Sequence, residues 1–226
     1  MRTWTSQHLK DFKLVWRDAC HTMWTELAAL RATLAFVHVN YRDLGAKSPI
    51  TAFFHAPESR DRIDDVTTDV FIERFDRYRI SVVTSRVVLL SAAFELYFGS
   101  FLDDYLKGRA KYFDRSSNTF TTEGNRVSGE IRKIRGIPER VEAFGDLTSA
   151  KLKSSKPHIP ALKDVCVLRN VIAHRAGHVD DLAAKTVSTI SLTSGTQVAL
   201  SPEQLLLLAA PVLKLAEELD RKIPTL

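Results

Sequence analysis

LKDFKLVWRDACHTMWTELAALRATLAFVHVNY, residues 9–41, is the stretch that decides the fold class. Leu9, Phe12, Trp16, Ala19, Met23, Leu27, Leu30, Leu34, Val37 and Tyr41 recur every three or four residues. That spacing draws one apolar stripe along a helix. Held straight, the stretch spans roughly 50 Å at about 1.5 Å per residue, so it reads as one long helix or a kinked pair. Residues 43–64, with Gly45, Pro49 and Pro57, read as a loop.

The same pattern returns from about Val66 to Leu106, where Phe71, Phe75, Tyr78, Val82, Leu89, Phe94, Tyr97, Phe101 and Tyr105 supply the apolar faces. Gly108 is the expected stop, in the positive-φ conformation common after a helix. Residues 109–127 read as a loop and 128–144 as a shorter amphipathic helix. Lys151 to Pro160 is a basic connector. Pro160 suits the start of a helix, and Leu162, Val165, Cys166, Arg169 and Ile172 continue it from about 159 to 173. Ile190, Leu192, Val198 and Leu200 alternate around Ser194-Gly195, which predicts a short β-hairpin near 187–200. Ser201-Pro202-Glu203-Gln204 reads as a capping box opening a last, Leu-rich helix to about Lys222. Pro211 is expected to kink it. The expected fold is all-α: one domain over 1–226, a bundle of four to five main helices with one small hairpin.

Composition narrows the function classes. The chain has 226 residues and a net charge of +5, with 45% hydrophobic residues, enough apolar material to fold. Cys20 and Cys166 stand alone, so neither a disulfide framework nor a paired-cysteine zinc motif is expected. Lys10 and Asp11 fall where a signal peptide would be apolar. No stretch is read as approaching the ~20 apolar residues of a membrane span. The expected setting is cytoplasmic, without a membrane. No Gly-rich phosphate loop, nucleophile elbow or Cys–His arrangement is evident.

Charge is uneven. Residues 107–163 hold 13 basic and 6 acidic side chains, a net of +7, so the rest of the chain nets −2. Tyr112, Phe113 and Phe120 lie among them. Basic residues interleaved with aromatics attract a nucleic-acid strand, although a solvated helix face has the same composition. Lys151, Lys153, Lys156, Arg132, Lys133 and Arg135 are the candidate RNA-binding residues. Trp4, Trp16 and Trp24 are expected in the core or a dimer interface rather than as stacking platforms.

Chemistry concentrates in LRNVIAHRAGHVD, residues 168–180. Asn170 and His174 share a helix face at i, i+4, and Arg169 lies on the adjacent edge. Gly177 is a good stop, so His174 falls in the last turn, where the helix end favours a charged imidazole and suits it to proton transfer. A metal site at His174, His178, Asp180 and Asp181 is not expected, because Gly177 breaks the helix between the histidines. The plainer alternatives stay open: Arg169 paired with Asp164 or Asp180, and His174 as a satisfied helix-end residue.

RNVIAH at 169–174, with its apolar flanks and Gly177–Asp180 continuation, resembles the signature of HEPN domains. SAAFELYFGSFL at 91–102 is similar to the second helix of the HEPN branch found beside RNA-repair ligase and phosphatase genes. A looser match, Arg31 to His38, lacks the polar residue after the arginine and lies in the first helix's apolar stripe.

The resemblance implies a dimeric helical bundle whose motif helices face each other. It also implies metal-independent endoribonuclease activity without a cofactor, in toxin, phage-defence or RNA-processing systems, with an antitoxin or defence partner as a further expectation. Arg169, Asn170 and His174 would be catalytic. Glu95, Arg175 and His178 would support them, Glu95 by pairing with Arg169 or Arg86. Ala176 stands where some HEPN toxins carry a Tyr that a partner nucleotidyltransferase modifies, so that regulation is not implied. The rival expectation is a module that binds RNA or a nucleotide without cleaving it.

Overall fold

The computed structural model describes residues 5–50 and 66–224. Helix α1 (Gln7–Leu44) is unbroken, settling the choice between one helix and a kinked pair. No Gly or Pro interrupts it, and Ser6 caps it by accepting a hydrogen bond from the Leu9 N–H. At 1.5 Å per residue it is about 57 Å long. Leu9, Phe12, Ala19, Met23, Leu27 and Val37 of the expected stripe are buried. Gly45 ends the helix at φ 71°, its N–H bonded to the Tyr41 carbonyl. Pro57 and most of the expected loop lie outside the described residues, but Pro49 pairs with Thr67 as a single bridge.

Helix α2 (Thr68–Lys107) returns alongside α1. Gly108 follows it, but at φ −70° rather than in the left-handed region. Space, not backbone twist, explains the glycine: a Cβ there would meet Pro224 Cδ at 2.9 Å. Phe94, Tyr97, Phe98, Phe101 and Tyr105 form a ring ladder that meets Phe12 of α1. Each large side chain fully buried in this way stabilises the fold by roughly 1.5–3 kcal/mol. By composition α2 is apolar and long enough to cross a membrane, which corrects the expectation that no stretch approaches that length. The same composition suits a helix packed among neighbours, as α2 is among α1, α5, α7 and α3.

The segment expected to be a loop, 109–127, instead folds into strands β1 (Phe113–Asp114) and β2 (Thr119–Phe120), followed by the start of α3 (Thr122–Lys133). Phe113 pairs with Phe120 and Asp114 with Thr119. The expected single helix over 128–144 is therefore two, α3 and α4 (Ile137–Thr148). Pro138 has no N–H to continue an earlier helix and suits the first turn of a new one. Gly136, at φ −86° and ψ 138°, is the extended residue before α4.

Helix α5 (Ile159–His174) packs on α2, α4 and α7. A 3-10 turn, Lys156–His158, leads into it. Helices α6 (Asp181–Thr186) and α7 (Pro202–Asp220) complete the described residues. The capping box is present: Ser201 Oγ accepts from the Gln204 N–H, and the Gln204 side chain accepts from the Ser201 N–H. Pro211 sits inside a continuous α7, so the helix does not end there. The hydrogen bond it removes is that to the carbonyl of Leu207, an exposed residue.

The class is therefore all-α with, among the described residues, one short hairpin, but the hairpin is at 113–120 and not at 187–200. Ile190, Val198 and Leu200 are buried as their alternation implies, yet they do not pair with each other. The turn at Gly195, φ 80°, sends residues 196–198 back against 177–179. Val198 N–H donates to the Gly177 carbonyl at 2.8 Å, and Val179 N–H to the Thr196 carbonyl at 2.9 Å.

Candidate functional site

Helix α5 carries the motif because its buried face is continuous. Leu162, Val165, Leu168 and Val171 are all within a few per cent of full burial. The opposite face is left to Lys163, Val167, Asn170 and His174, spaced i, i+4, i+7 and i+11. At 100° per residue these four fall within a narrow stripe. Lys163, Asn170 and His174 are exposed.

The end of α5 is built by two left-handed residues, Ala176 at φ 49° and Gly177 at φ 81°. The N–H groups of Arg175 and Gly177 both donate to the Val171 carbonyl at 3.1 Å. This ends the helix at His174, which therefore lies in the last turn, as expected. It also turns His178 away, to bridge with Gln197.

His174, Asn170, Arg175 and Lys163 line one concavity of about 590 Å³, walled on the far side by Asp180, Leu182 and Ala183. Arg175 is ion-paired with Asp180. Asp180 also caps α6, accepting from the Ala183 N–H at 2.8 Å. Both groups serve to hold the wall of the concavity.

Arg169 is half-buried and does not line this concavity. It lies about 140° around the helix from His174. Its guanidinium donates to Asn170 Oδ1 at 2.9 Å. The alternative pairings are not made. Asp164 is buried and accepts from the N–H groups of Ser188 and Thr189 and from Ser188 Oγ, while Asp180 holds Arg175.

Glu95 pairs with Arg140 of α4 at 3.4 Å, not with Arg169 or Arg86. Arg86 instead holds Glu26 of α1 at 2.5 Å. Glu95 is exposed on α2, and α4 brings the Arg140 guanidinium to it from another part of the chain. Cys166, on the Arg169 side of α5, is no ready nucleophile. Burial pushes its thiol up to about 11, only partly offset by a hydrogen bond with Ser91.

The candidate RNA-binding residues divide. Lys151, Lys153 and Lys156 line a second concavity of about 1020 Å³, together with Lys163, Asp164, Thr186 and Ser188. Lys163 and Thr186 belong to both concavities. Arg132, Lys133 and Arg135 are exposed at the end of α3 and line neither. Arg132 is held by Asp103 at 2.6 Å.

Tyr112, Phe113 and Phe120 do not form a stacking platform. Tyr112 is buried, and Phe113 and Phe120 pack edge-to-face at 5.4 Å. Trp16 is half-buried against the core, Trp24 is exposed and Trp4 lies outside the described residues. His38 is exposed on α1 rather than buried in its stripe.

Lys163 was missed by a reading centred on the motif. Its signal was available: it stands eleven residues before His174 and seven before Asn170, on one stripe of one helix. No family model, curated protein or solved structure matches this chain.

Proposed function

We propose that this chain is a metal-independent endoribonuclease, in a prokaryotic defence, toxin or RNA-processing setting. The observation that carries the reading is the placement of Asn170 and His174 on one concavity, with Asn170 holding Arg169 at 2.9 Å. The resemblance of RNVIAH to the HEPN signature adds to it.

The chemistry follows from the groups present. The ribose 2′-oxygen attacks its own adjacent phosphorus. A base takes the 2′-hydroxyl proton as the new P–O bond forms. An acid protonates the departing 5′-oxygen as its bond to phosphorus breaks. The products are a 2′,3′-cyclic phosphate and a 5′-hydroxyl. His174 exchanges a proton in this scheme. The planar fork of Arg169 suits the charge on the phosphorane. In a homodimer with facing α5 helices, two His174–Arg169 pairs share one cleft, and the histidines divide the roles of acid and base.

A second reading, RNA binding without cleavage, draws on one observation: Arg169 does not line the His174 concavity within one chain. Incubation of a mixed RNA pool in excess EDTA separates the two. Cleavage by the wild-type protein to cyclic phosphate ends, lost in His174→Ala and Arg169→Ala, is expected. Equal cutting by all three proteins would sink the assignment. Binding without cutting, by protein whose dimerisation has been verified, would favour the second reading.

A further inference from the structure

Two concavities adjoin along α5. They share Lys163 and Thr186, and both open on the exposed face of the same helix. Lys163 and His174 are eleven residues apart on that face, about 16 Å along the axis. The smaller concavity, about 590 Å³, suits a drug-sized ligand. An unpaired nucleotide is of that size and a duplex is not.

The lysines are placed by the packing of the connector before α5. Leu152 is buried between exposed Lys151 and Lys153. It comes close to α4 at Gly145, where a Cβ would meet Leu152 Cδ1 at 2.6 Å. The Leu152 carbonyl accepts from the N–H groups of Ser155 and Lys156, both at 2.9 Å, which turns Lys156 back toward its neighbours. None of Lys151, Lys153, Lys156 and Lys163 is ion-paired among the described residues. The acidic groups here are partly spent: Asp164 is buried and holds Ser188 and Thr189, leaving Glu142 and Asp146 exposed on the α4 side. Four ammonium groups against three carboxylates, one of them buried, leave the lining net positive, which favours a polyanion.

We propose that the substrate is a single RNA strand lying along α5. One phosphate sits at His174, and the phosphates to one side of it are held first by Lys163 and then by Lys151, Lys153 and Lys156. Lys163 is a positioning residue that links the reacting end of the strand to its anchored end. This rests on the reading of His174 as the cleavage site, but its test does not require cleavage.

The probe is a fluorescent 12-nucleotide 2′-O-methyl RNA, which has no free 2′-hydroxyl to attack. Its anisotropy is followed against salt for the wild-type protein, Lys163→Ala, the triple variant Lys151→Ala/Lys153→Ala/Lys156→Ala, and His174→Ala. Wild type is expected to bind the strand more tightly than a duplex of the same sequence. Each lost lysine contact lowers the magnitude of the log–log salt slope by about 0.7. A two-nucleotide probe competes at the His174 end and responds to Lys163→Ala but not to the triple variant.

The proposal is overturned if the strand fails to bind, if the duplex binds as well, or if folded lysine variants keep wild-type affinity and slope. Lysine-dependent binding combined with an uncut unmodified RNA leaves the track standing and removes only the ribonuclease reading. Cutting that depends on His174 but not on the lysines does the reverse.

Discussion

Ser6 and Asp220 join the two ends of the described fold across 214 residues. The Ser6 N–H donates to Asp220 Oδ2 at 3.0 Å, and the Ser6 hydroxyl donates to Oδ1. The same hydroxyl accepts from the Leu9 N–H and so caps α1. Asp220 is 3% exposed, and its charge, after burial, also helps to raise the Tyr97 hydroxyl pKa. Asp220→Ala strands a buried N–H and hydroxyl and should cost about 1–3 kcal/mol. Ser6→Ala keeps the backbone bond and should cost about 0.5–2 kcal/mol, mostly the cap. Denaturant midpoints measured on both variants check the order, which fails if Ser6→Ala is the more damaging.

Two glycines of α3 should respond in opposite directions. A Cβ on Gly124 would overlap the backbone carbonyl of Tyr112, whereas one on Gly129 meets nothing within 4 Å. Gly124→Ala should destabilise by about 1–3 kcal/mol, since backbone must shift. Gly129→Ala should stabilise by about 0.5–1 kcal/mol, because alanine gives up less chain entropy in a helix. Thermal melts of the two variants beside the wild type decide this, and a Gly124→Ala as stable as the wild type would refute the packing described at Tyr112.

The hairpin holds a carboxylate with a displaced titration. Asp114 accepts from the Ser116 N–H and hydroxyl and from the Ser117 hydroxyl, and these bonds lower it to about 2. A group depressed in the fold contributes stability above its unfolded value, near 3.9. That contribution disappears as pH falls through about 2. Carbon-detected NMR of the Asp114 side chain should give a midpoint well below that of an ordinary aspartate. Ser116→Ala should move it back up, and an ordinary midpoint in the wild type would contradict the turn geometry.

His174 is exposed, so His174→Ala should leave the melting temperature near that of the wild type. RNA cleavage should nonetheless fall by about 10²–10⁴-fold, the range for loss of a proton-transfer group. Arg169→Lys should not restore activity, because an ammonium group cannot reproduce the guanidinium fork. Asn170→Ala should weaken cleavage by releasing Arg169 from its 2.9 Å bond. Single-turnover rates on one defined RNA test all three, and an active Arg169→Lys would show that charge alone suffices.

Local periodicity carried most of the fold. All ten stripe positions of α1 are buried or half-buried, because a helix face depends only on spacing within one segment. Partner choice was hidden wherever it involved distant segments. The alternation at Ile190, Leu192, Val198 and Leu200 told which side chains go inside, but not that Val198 would bond Gly177. The partner of Glu95 is hidden for the same reason, since nothing in the spacing shows that α4 brings Arg140 across. The break between α3 and α4 is itself local, at Gly136-Ile137-Pro138, where Pro138 has no N–H to continue a helix. At the site, the shared face of Asn170 and His174 followed from their spacing. The distance of Arg169 from the concavity does not show in a motif written along a line.

The buried carboxylate of Asp164 stands beside Lys163 in sequence and under the track in space. Its grip on the Ser188 and Thr189 amides, at 2.9 and 2.7 Å, turns those two positions into a gauge. Their hydrogens exchange with solvent only when that wall lets go. Deuterium uptake at residues 188 and 189 thus reports, without any assay of activity, whether the floor of the track is intact in a given variant. It can separate a lysine that was lost from a surface that came apart.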